Sequence, residues 1–214
     1  MKHLKVLGLA AVAAMALMAI VGAGTASASE LCSTNTAPCT GTKYGQDTTI
    51  SAQLKSGTVA FLTNSISNVA CKKSTVLITT TNAGTTGEPV KGQAPSPNGL
   101  TFSECSTASG TACTVTVQNL AYNGTLTATT KGNGTLTVQS GGSGDPGATV
   151  VCGFLINCTF STASATLSFT GGSPAVAAAN GISLSRSGGF CPSTSTWDAE
   201  YEVTSPKPLF IVHS

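Results

Sequence analysis

Eight cysteines constrain the fold of this chain more than any other feature of its 214 residues. All of them follow an apolar N-terminal segment, at Cys32, Cys39, Cys71, Cys105, Cys113, Cys152, Cys158 and Cys191. An even number of cysteines in an exported chain predicts that they are joined in disulfides. A zinc site would need close Cys or His pairs, and the sequence contains no C-x2-C motif. We therefore predict four disulfides, no metal ion and no cofactor.

The N-terminal segment has the three parts of a secretory signal peptide. Two lysines in Met1–Lys5 precede an apolar run from Val6 to about Gly24, which is followed by Thr25-Ala26-Ser27-Ala28. Positive, apolar and small-residue parts in this order predict a signal peptide over residues 1–28, cut after Ala28. A membrane anchor is the alternative reading, but the run is rich in Ala and Gly and ends in a cleavage motif.

Removal of the signal peptide would leave a formally neutral chain. Eight basic and eight acidic residues remain once Lys2 and Lys5 are lost. A nucleic-acid partner or an anionic membrane surface would need a basic patch, so we expect neither. We expect one secreted or surface-associated domain over residues 29–214, with no membrane span. A segment rich in Gly and Ser at 140–147 is a candidate hinge.

Alternation of apolar and polar residues predicts strands through most of the secreted part. Ile50, Ala52 and Leu54, for example, alternate with polar residues, and similar stretches recur up to the C-terminus. Thr and Val favour strands, while Gly, Asn and Ser favour turns. Many short strands with turn signals about every ten residues are typical of an antiparallel sandwich. We predict an all-β, disulfide-stapled, immunoglobulin-like sandwich.

A repeated Asn-Gly-Thr-Leu-Thr sequence, beginning at Asn123 and Asn133, predicts two consecutive hairpins. Three-residue loops at 122–124 and 132–134 place Gly third, where this hairpin needs the left-handed conformation, and we favour them over two-residue turns. The resulting register pairs Leu126 with Leu120 and Val138 with Ala128.

The short spacings between cysteines predict local disulfides. Cys152 and Cys158 cannot pair along one continuous strand, because the chain between them is longer than the Cα separation of about 7 Å that a disulfide allows. If they pair, the intervening residues form a loop that the bond closes. The best single pattern is Cys152–Cys158, Cys32–Cys39, Cys105–Cys113 and, over the long range, Cys71–Cys191.

Three apolar residues, Phe154, Leu155 and Ile156, lie between two of these cysteines. At the tip of a closed loop they would form a contact loop, since exposed apolar clusters mark contacts with a partner, ligand or membrane. The competing interpretation makes Val150 to Ile156 one buried central strand. We favour the buried strand and keep the contact loop as the alternative.

The carboxylates of Asp198, Glu200 and Glu202 alternate with Trp197, Ala199, Tyr201 and Val203. Paired carboxylates can act as general acid and base on a glycosidic bond, or bind calcium. Regular alternation instead favours an amphipathic strand with a solvated acidic face. A cluster of these acids with His213 or Arg186 in a cleft would favour a hydrolase. Acids spread along an open face would favour a binding module.

Five segments of the C-terminal third form a recognisable sequence pattern: 171–175 (GGSPA), 182–186 (ISLSR), 191–192 (CP), 197–204 (WDAEYEVT) and 208–212 (PLFIV). Residues 147–214 resemble an uncharacterised group of small secreted actinobacterial proteins. The resemblance implies export and a bacterial source, but no activity and no site residues. We expect a non-catalytic cell-envelope or binding module of unidentified ligand, with a cell-wall or surface component as a candidate partner. The alternative is a small, glycosidase-like extracellular hydrolase using Asp198, Glu200 and Glu202.

Overall fold

The computed structural model describes residues 28–66, 68–84, 87–188 and 191–214. Of the predicted signal peptide only Ala28 is among them, so the rest of that segment lies outside the described residues and its cleavage stays a prediction. The described residues form strands and no helix, which confirms the all-β prediction. None of them belongs to a helix with the length and apolar character that a membrane crossing needs.

Sixteen strands follow one another along the described chain, and all of their pairings are antiparallel. They are β1 (Ser29–Cys32), β2 (Lys43–Tyr44), β3 (Thr49–Leu54), β4 (Ala60–Thr63), β5 (Val69–Thr80), β6 (Val90–Ala94), β7 (Leu100–Thr107), β8 (Ala112–Gln118), β9 (Tyr122–Thr130), β10 (Asn133–Ser140), β11 (Gly147–Cys152), β12 (Ile156–Ser161), β13 (Ser164–Thr170), β14 (Val176–Gly188), β15 (Thr194–Ser205) and β16 (Phe210–His213).

Thirteen of the strands form one sheet whose pairings close on themselves twice. The first ring runs β4, β5, β7, β8, β11, β12, β14, β15 and back to β4. The second ring runs β3, β5, β6, β9, β10, β13, β14, β15 and back to β3. Two separate packed sheets would be needed for an immunoglobulin-like sandwich, and this part of the prediction is not confirmed.

Three long strands, β5, β14 and β15, belong to both rings. The first half of β14 pairs with β13 in the second ring, and its last residues pair with β12 in the first ring. Its register against β15 shifts between Ala179 and Ile182, where Gly181 has φ +60°. Such a bulge bends a strand, and glycine adopts positive φ without a side-chain clash. The two rings are therefore stacked end to end along a shared wall.

The core lies inside the rings because side chains alternate between the two faces of each strand. In β13 the buried residues are Ala165, Leu167 and Phe169, with exposed residues between them. In β15 the buried residues are Ala199, Tyr201 and Val203, as the alternation in the sequence predicts.

A separate three-stranded sheet, ordered β16–β1–β2, covers the end of the second ring that faces away from the first ring. Ile211 and Leu209 form isolated bridges to Gly132 and Gly172, in the turns that follow β9 and β13. Leu31, Leu209 and Ile211 are at most 1% exposed and join the same core cluster as residues of the second ring. We call this the capped end.

All eight cysteines are in disulfides, as predicted, but three of the four predicted pairs are wrong. Cys32–Cys39 is confirmed, and the other bonds are Cys71–Cys105, Cys113–Cys152 and Cys158–Cys191. Cys71, Cys105, Cys113 and Cys152 stand opposite one another in a single row across β5, β7, β8 and β11. Cys71–Cys105 and Cys113–Cys152 therefore join strands that are neighbours in the first ring, with more than thirty residues of chain between the two cysteines of each bond.

The predicted hairpin at 122–124 is also wrong. Asn123 and Gly124 lie within β9, where Gly124 is opposite Gly92 of β6 and Val138 of β10. The second turn has two residues, 131–132, and not the predicted three at 132–134. Leu126 is opposite Leu136 and Ala128 is opposite Gly134, so both predicted pairs are wrong. Asn123-Gly124 favours a turn locally, but β9 pairs with β6 on one edge and β10 on the other, and these pairings keep the segment extended.

The candidate hinge at 140–147 connects β10 of the second ring to β11 of the first ring.

Candidate binding site at the apolar end

Four hairpin loops meet at one end of the first ring, because its strands follow one another in hairpins: β4–β5, β7–β8, β11–β12 and β14–β15. Three of the loops bring apolar residues to this end. The apolar residues are Ile66 between β4 and β5, Phe154 and Leu155 between β11 and β12, and Pro192 between β14 and β15. We call these four residues the apolar end.

The turn between β11 and β12 presents two large apolar side chains to solvent. Phe154 is fully exposed and Leu155 is 95% exposed, whereas Ile156 is half-buried and packs in the core. The buried-strand interpretation is therefore wrong for Phe154 and Leu155. Gly153 makes the turn possible with φ +56°, a conformation that side-chain-bearing residues rarely adopt.

The strands beneath this turn are each tied to a different neighbour. Cys152, the last residue of β11, is bonded to Cys113 of β8. Cys158 of β12 is bonded to Cys191, just before β15. The predicted Cys152–Cys158 bond is absent among the described pairs, but the turn is held from both sides. A contact loop anchored in this way loses little conformational freedom on binding.

A cavity of about 220 Å³ lies beneath the loops of the apolar end. Ile66, Leu155 and Pro192 line it, together with Cys158 and Phe160 from the strand below. Ile66 is itself 66% exposed, and its backbone N–H donates to Asn64 Oδ1 over 3.0 Å. The exposed turn and the cavity form one continuous apolar surface.

A second cavity of about 230 Å³ occupies the interior of the rings and is lined almost entirely by apolar side chains. Leu62, Val69 and Val150 line both cavities and separate them. Its apolar lining and its volume suit the interior to a bound apolar group, since an engineered apolar cavity of about 150 Å³ binds benzene.

The buried hydroxyl groups around the interior are already hydrogen-bonded. Tyr201 lies 2.9 Å from the hydroxyl of Ser74, and burial raises the pKa of Tyr201 far above its usual value. The hydroxyl of Tyr122 accepts the N–H of Gly147 over 3.1 Å, and the carbonyl oxygens of Gly147 and Gln118 are its two acceptors. Burial raises the pKa of Tyr122. Both phenols stay neutral and contribute no charge to the cavity.

The three predicted carboxylates lie along the outer face of β15, away from both cavities. Glu200 forms an ion pair with Lys55 at 2.9 Å, and its hydrogen bond and charge raise the pKa of Lys55. Asp198 Oδ1 accepts the backbone N–H of Gly181 over 2.6 Å, at the bulge in β14. Glu202 is opposite Gln53 of β3. The acids are spread along one strand and line neither cavity.

The other two candidate catalytic residues, Arg186 and His213, lie in different parts of the fold. Arg186 donates through Nη1 to the carbonyl oxygen of Cys191 over 2.6 Å, across the β14–β15 hairpin. His213 lies in β16 of the capping sheet, opposite Ser29. Within the described ranges, no three His, Cys, Asp or Glu side chains are grouped so that they could hold a metal ion.

Two of the four residues of the apolar end can be predicted from the sequence, and the other two cannot. The apolar residues between Cys152 and Cys158 predict Phe154 and Leu155 as a candidate contact loop, but Ile66 and Pro192 come from loops far away in sequence and carry no motif. Their convergence follows from the closed order of strands, which the local sequence does not specify. No protein-family model, curated protein or solved structure matches the chain.

Proposed function

We propose that this chain is an extracellular, non-catalytic binding module that attaches through its apolar end to the lipid part of a cell-envelope component. The observation that carries the proposal is the full exposure of Phe154 and Leu155 on a turn anchored by two disulfides. Soluble proteins rarely expose such a cluster unless it makes a contact.

The four disulfides support an extracellular location, because such bonds persist in oxidising compartments. The resemblance of residues 147–214 to small secreted actinobacterial proteins is in keeping with this location and adds no activity. A lipid rather than a charged polymer is favoured as the ligand, because the secreted chain is formally neutral and the exposed residues are apolar.

The strength of the attachment can be bounded from the exposed side chains. Complete burial of a Phe and a Leu side chain contributes about 1.5–3 kcal/mol each. Together they allow a dissociation constant of tens of micromolar at best, if no other contact is made. We therefore expect reversible attachment that depends on both residues and that changes little with salt, because no ion pair is involved.

Co-sedimentation with zwitterionic phosphatidylcholine vesicles tests the proposal. The wild-type protein should partition to the vesicles, and Phe154→Ser/Leu155→Ser should lose at least tenfold in partitioning with an unchanged melting temperature. Val59→Ser is the control, because Val59 is 40% exposed but lies outside the four loops. Equal partitioning of the wild type and the double variant would contradict the proposal, as would a large fall in melting temperature.

A further inference from the structure

The indole of Trp197 is the chain's one tryptophan side chain, and its nitrogen is buried without a hydrogen-bond partner among the described residues. Native proteins pair nearly all of their buried polar groups, so an unpaired N–H calls for a specific explanation. Trp197 lines the interior cavity, as does its strand neighbour Leu62. A ligand in this cavity could accept the missing hydrogen bond.

The position of Trp197 gives a bound ligand a direction. Leu62, opposite Trp197, is one of the side chains between the interior cavity and the cavity beneath the apolar end. Trp197 also packs against the buried cluster of Ala165, Leu167 and Ala179, which lies deeper, in the second ring. An acceptor group beside Trp197 would therefore lie near the entrance, with an apolar chain extending towards the capped end.

The lining and volume of the interior cavity define the rest of the ligand. The side-chain hydroxyls of the lining have partners within the protein, at Tyr122, Tyr201, Thr80 and Thr162, and Lys91 pairs with Glu88. The indole N–H is therefore the side-chain donor left without a partner in the described lining. A cavity of about 150 Å³ accepts one benzene ring. In the same proportion, 230 Å³ accommodates a chain of about nine carbons.

We propose that the interior of the rings binds a medium-length acyl chain whose carbonyl oxygen accepts a hydrogen bond from Trp197 Nε1. The proposal deepens the function proposed above, on which its biological setting rests, by naming the part of the lipid that enters the protein. The chain enters past Leu62, Val69 and Val150, and the apolar end holds the remainder of the lipid. Free fatty acyl compounds and acyl chains of envelope lipids share this chemistry.

The binding experiment uses nonan-2-one, a neutral nine-carbon chain with one carbonyl, and follows the emission of Trp197 in the disulfide-intact protein. We expect saturable quenching with one site per chain, because the carbonyl comes into contact with the indole. N-acetyltryptophanamide gives the reference for random collisions. Quenching that rises linearly, as it does for this free amide, would overturn the proposal.

Filling the cavity should block the site. Ala165→Leu places a larger side chain beside Trp197 and should abolish saturable quenching, whereas Ala178→Leu on the outer side of β14 should keep it. Ala177→Leu lines the same cavity further from Trp197 and serves as a second filling variant if Ala165→Leu does not fold. Unchanged binding in a folded filling variant would overturn the location of the site.

The hydrogen bond is tested by comparing two ligands in Trp197→Phe, with binding followed by thermal shift. Nonan-2-one should bind about tenfold more weakly than to the wild type, while nonane, which has no acceptor, should raise the melting temperature equally in both proteins. Equal losses for both ligands would show that Trp197 acts by packing and not as a donor, against the proposal.

The variants of the two sites separate this inference from the proposed function. Phe154→Ser/Leu155→Ser should keep nonan-2-one binding while losing vesicles. Loss of nonan-2-one binding in the filling variants, with vesicle binding weakened as well, would identify lipid acyl chains as the source. Vesicle binding without any nonan-2-one site would overturn the inference and leave the proposed function standing.

Discussion

The two ends of the stacked rings carry the same types of residue in opposite environments. At the capped end, Leu31 and Ile211 are completely buried between the capping sheet and the second ring. At the apolar end, Leu155 and Phe154 are almost fully solvated. Burial of apolar surface stabilises the fold. An apolar side chain that stays exposed in the folded state adds little to the free energy of unfolding, so it can be replaced with little loss of stability. Residues of the same type therefore contribute to folding at the capped end and stay exposed at the apolar end, where we propose that the lipid binds.

A polar contrast accompanies the apolar one. Glu30 of β1 has a side chain that is 6% exposed, and it forms an ion pair with Lys43 at 2.8 Å while accepting the N–H of Cys39 at 2.8 Å. Burial by itself would raise the pKa of Glu30, but the hydrogen bonds from Lys43 and Cys39 and the charge of Lys43 hold it below its usual value. The capped end is therefore fixed by a charged network as well as by packing, and Cys32–Cys39 ties the same segment.

The largest difference between the ends should appear when the same substitution is made at each. Leu31→Ala should lower the free energy of unfolding by about 2–5 kcal/mol, because it removes a buried side chain and leaves a cavity. Leu155→Ala should change the free energy of unfolding by less than about 0.5 kcal/mol, because the side chain is solvated. Urea unfolding of both variants measures the contrast, and comparable losses at the two ends would break it.

Glu30→Gln should have a smaller effect that depends on pH. At neutral pH the variant should lose about 1–3 kcal/mol, the usual contribution of hydrogen bonds to a buried charge. Because the folded-state pKa is lowered, this contribution is complete above the unfolded value of 4.5 and is lost as the pH falls through the lower folded value. The stabilities of wild type and variant should therefore converge in acid.

Glu202→Gln on the outer face of β15 is the control for this series, because Glu202 is partly exposed and makes no ion pair among the described contacts. Its stability curve should follow that of the wild type closely between neutral and acid pH. A constant difference between wild type and Glu30→Gln at every pH would contradict the role assigned to the Glu30 carboxylate.

The sequence predicts those features of the fold that depend on neighbouring residues. The alternation through Trp197, Ala199, Tyr201 and Val203 places the apolar face of β15 correctly, because side-chain direction along a strand is a local property. Cys32 and Cys39 are also paired correctly, since two cysteines separated by seven positions can close a loop without reference to the rest of the chain.

Features that depend on strand order could not be predicted in the same way. Cys105 and Cys113 do lie opposite each other, as their short spacing suggested, but each is bonded to its other neighbour in the row. Asn123-Gly124 is a favourable turn sequence, yet pairing with β6 and β10 keeps it extended. The convergence of Ile66, Leu155 and Pro192 likewise follows from ring closure, which involves residues more than a hundred positions apart.

Hydrogen–deuterium exchange with and without phosphatidylcholine vesicles tests the contrast between the two ends most directly. The account predicts slower exchange on vesicle binding in residues 64–66, 153–156 and 191–193, which form the apolar end, and no change in residues 29–32 and 210–213 of the capped end. Protection of the capped end, or of the acidic face at 198–202, with the loops of the apolar end unchanged, would contradict it.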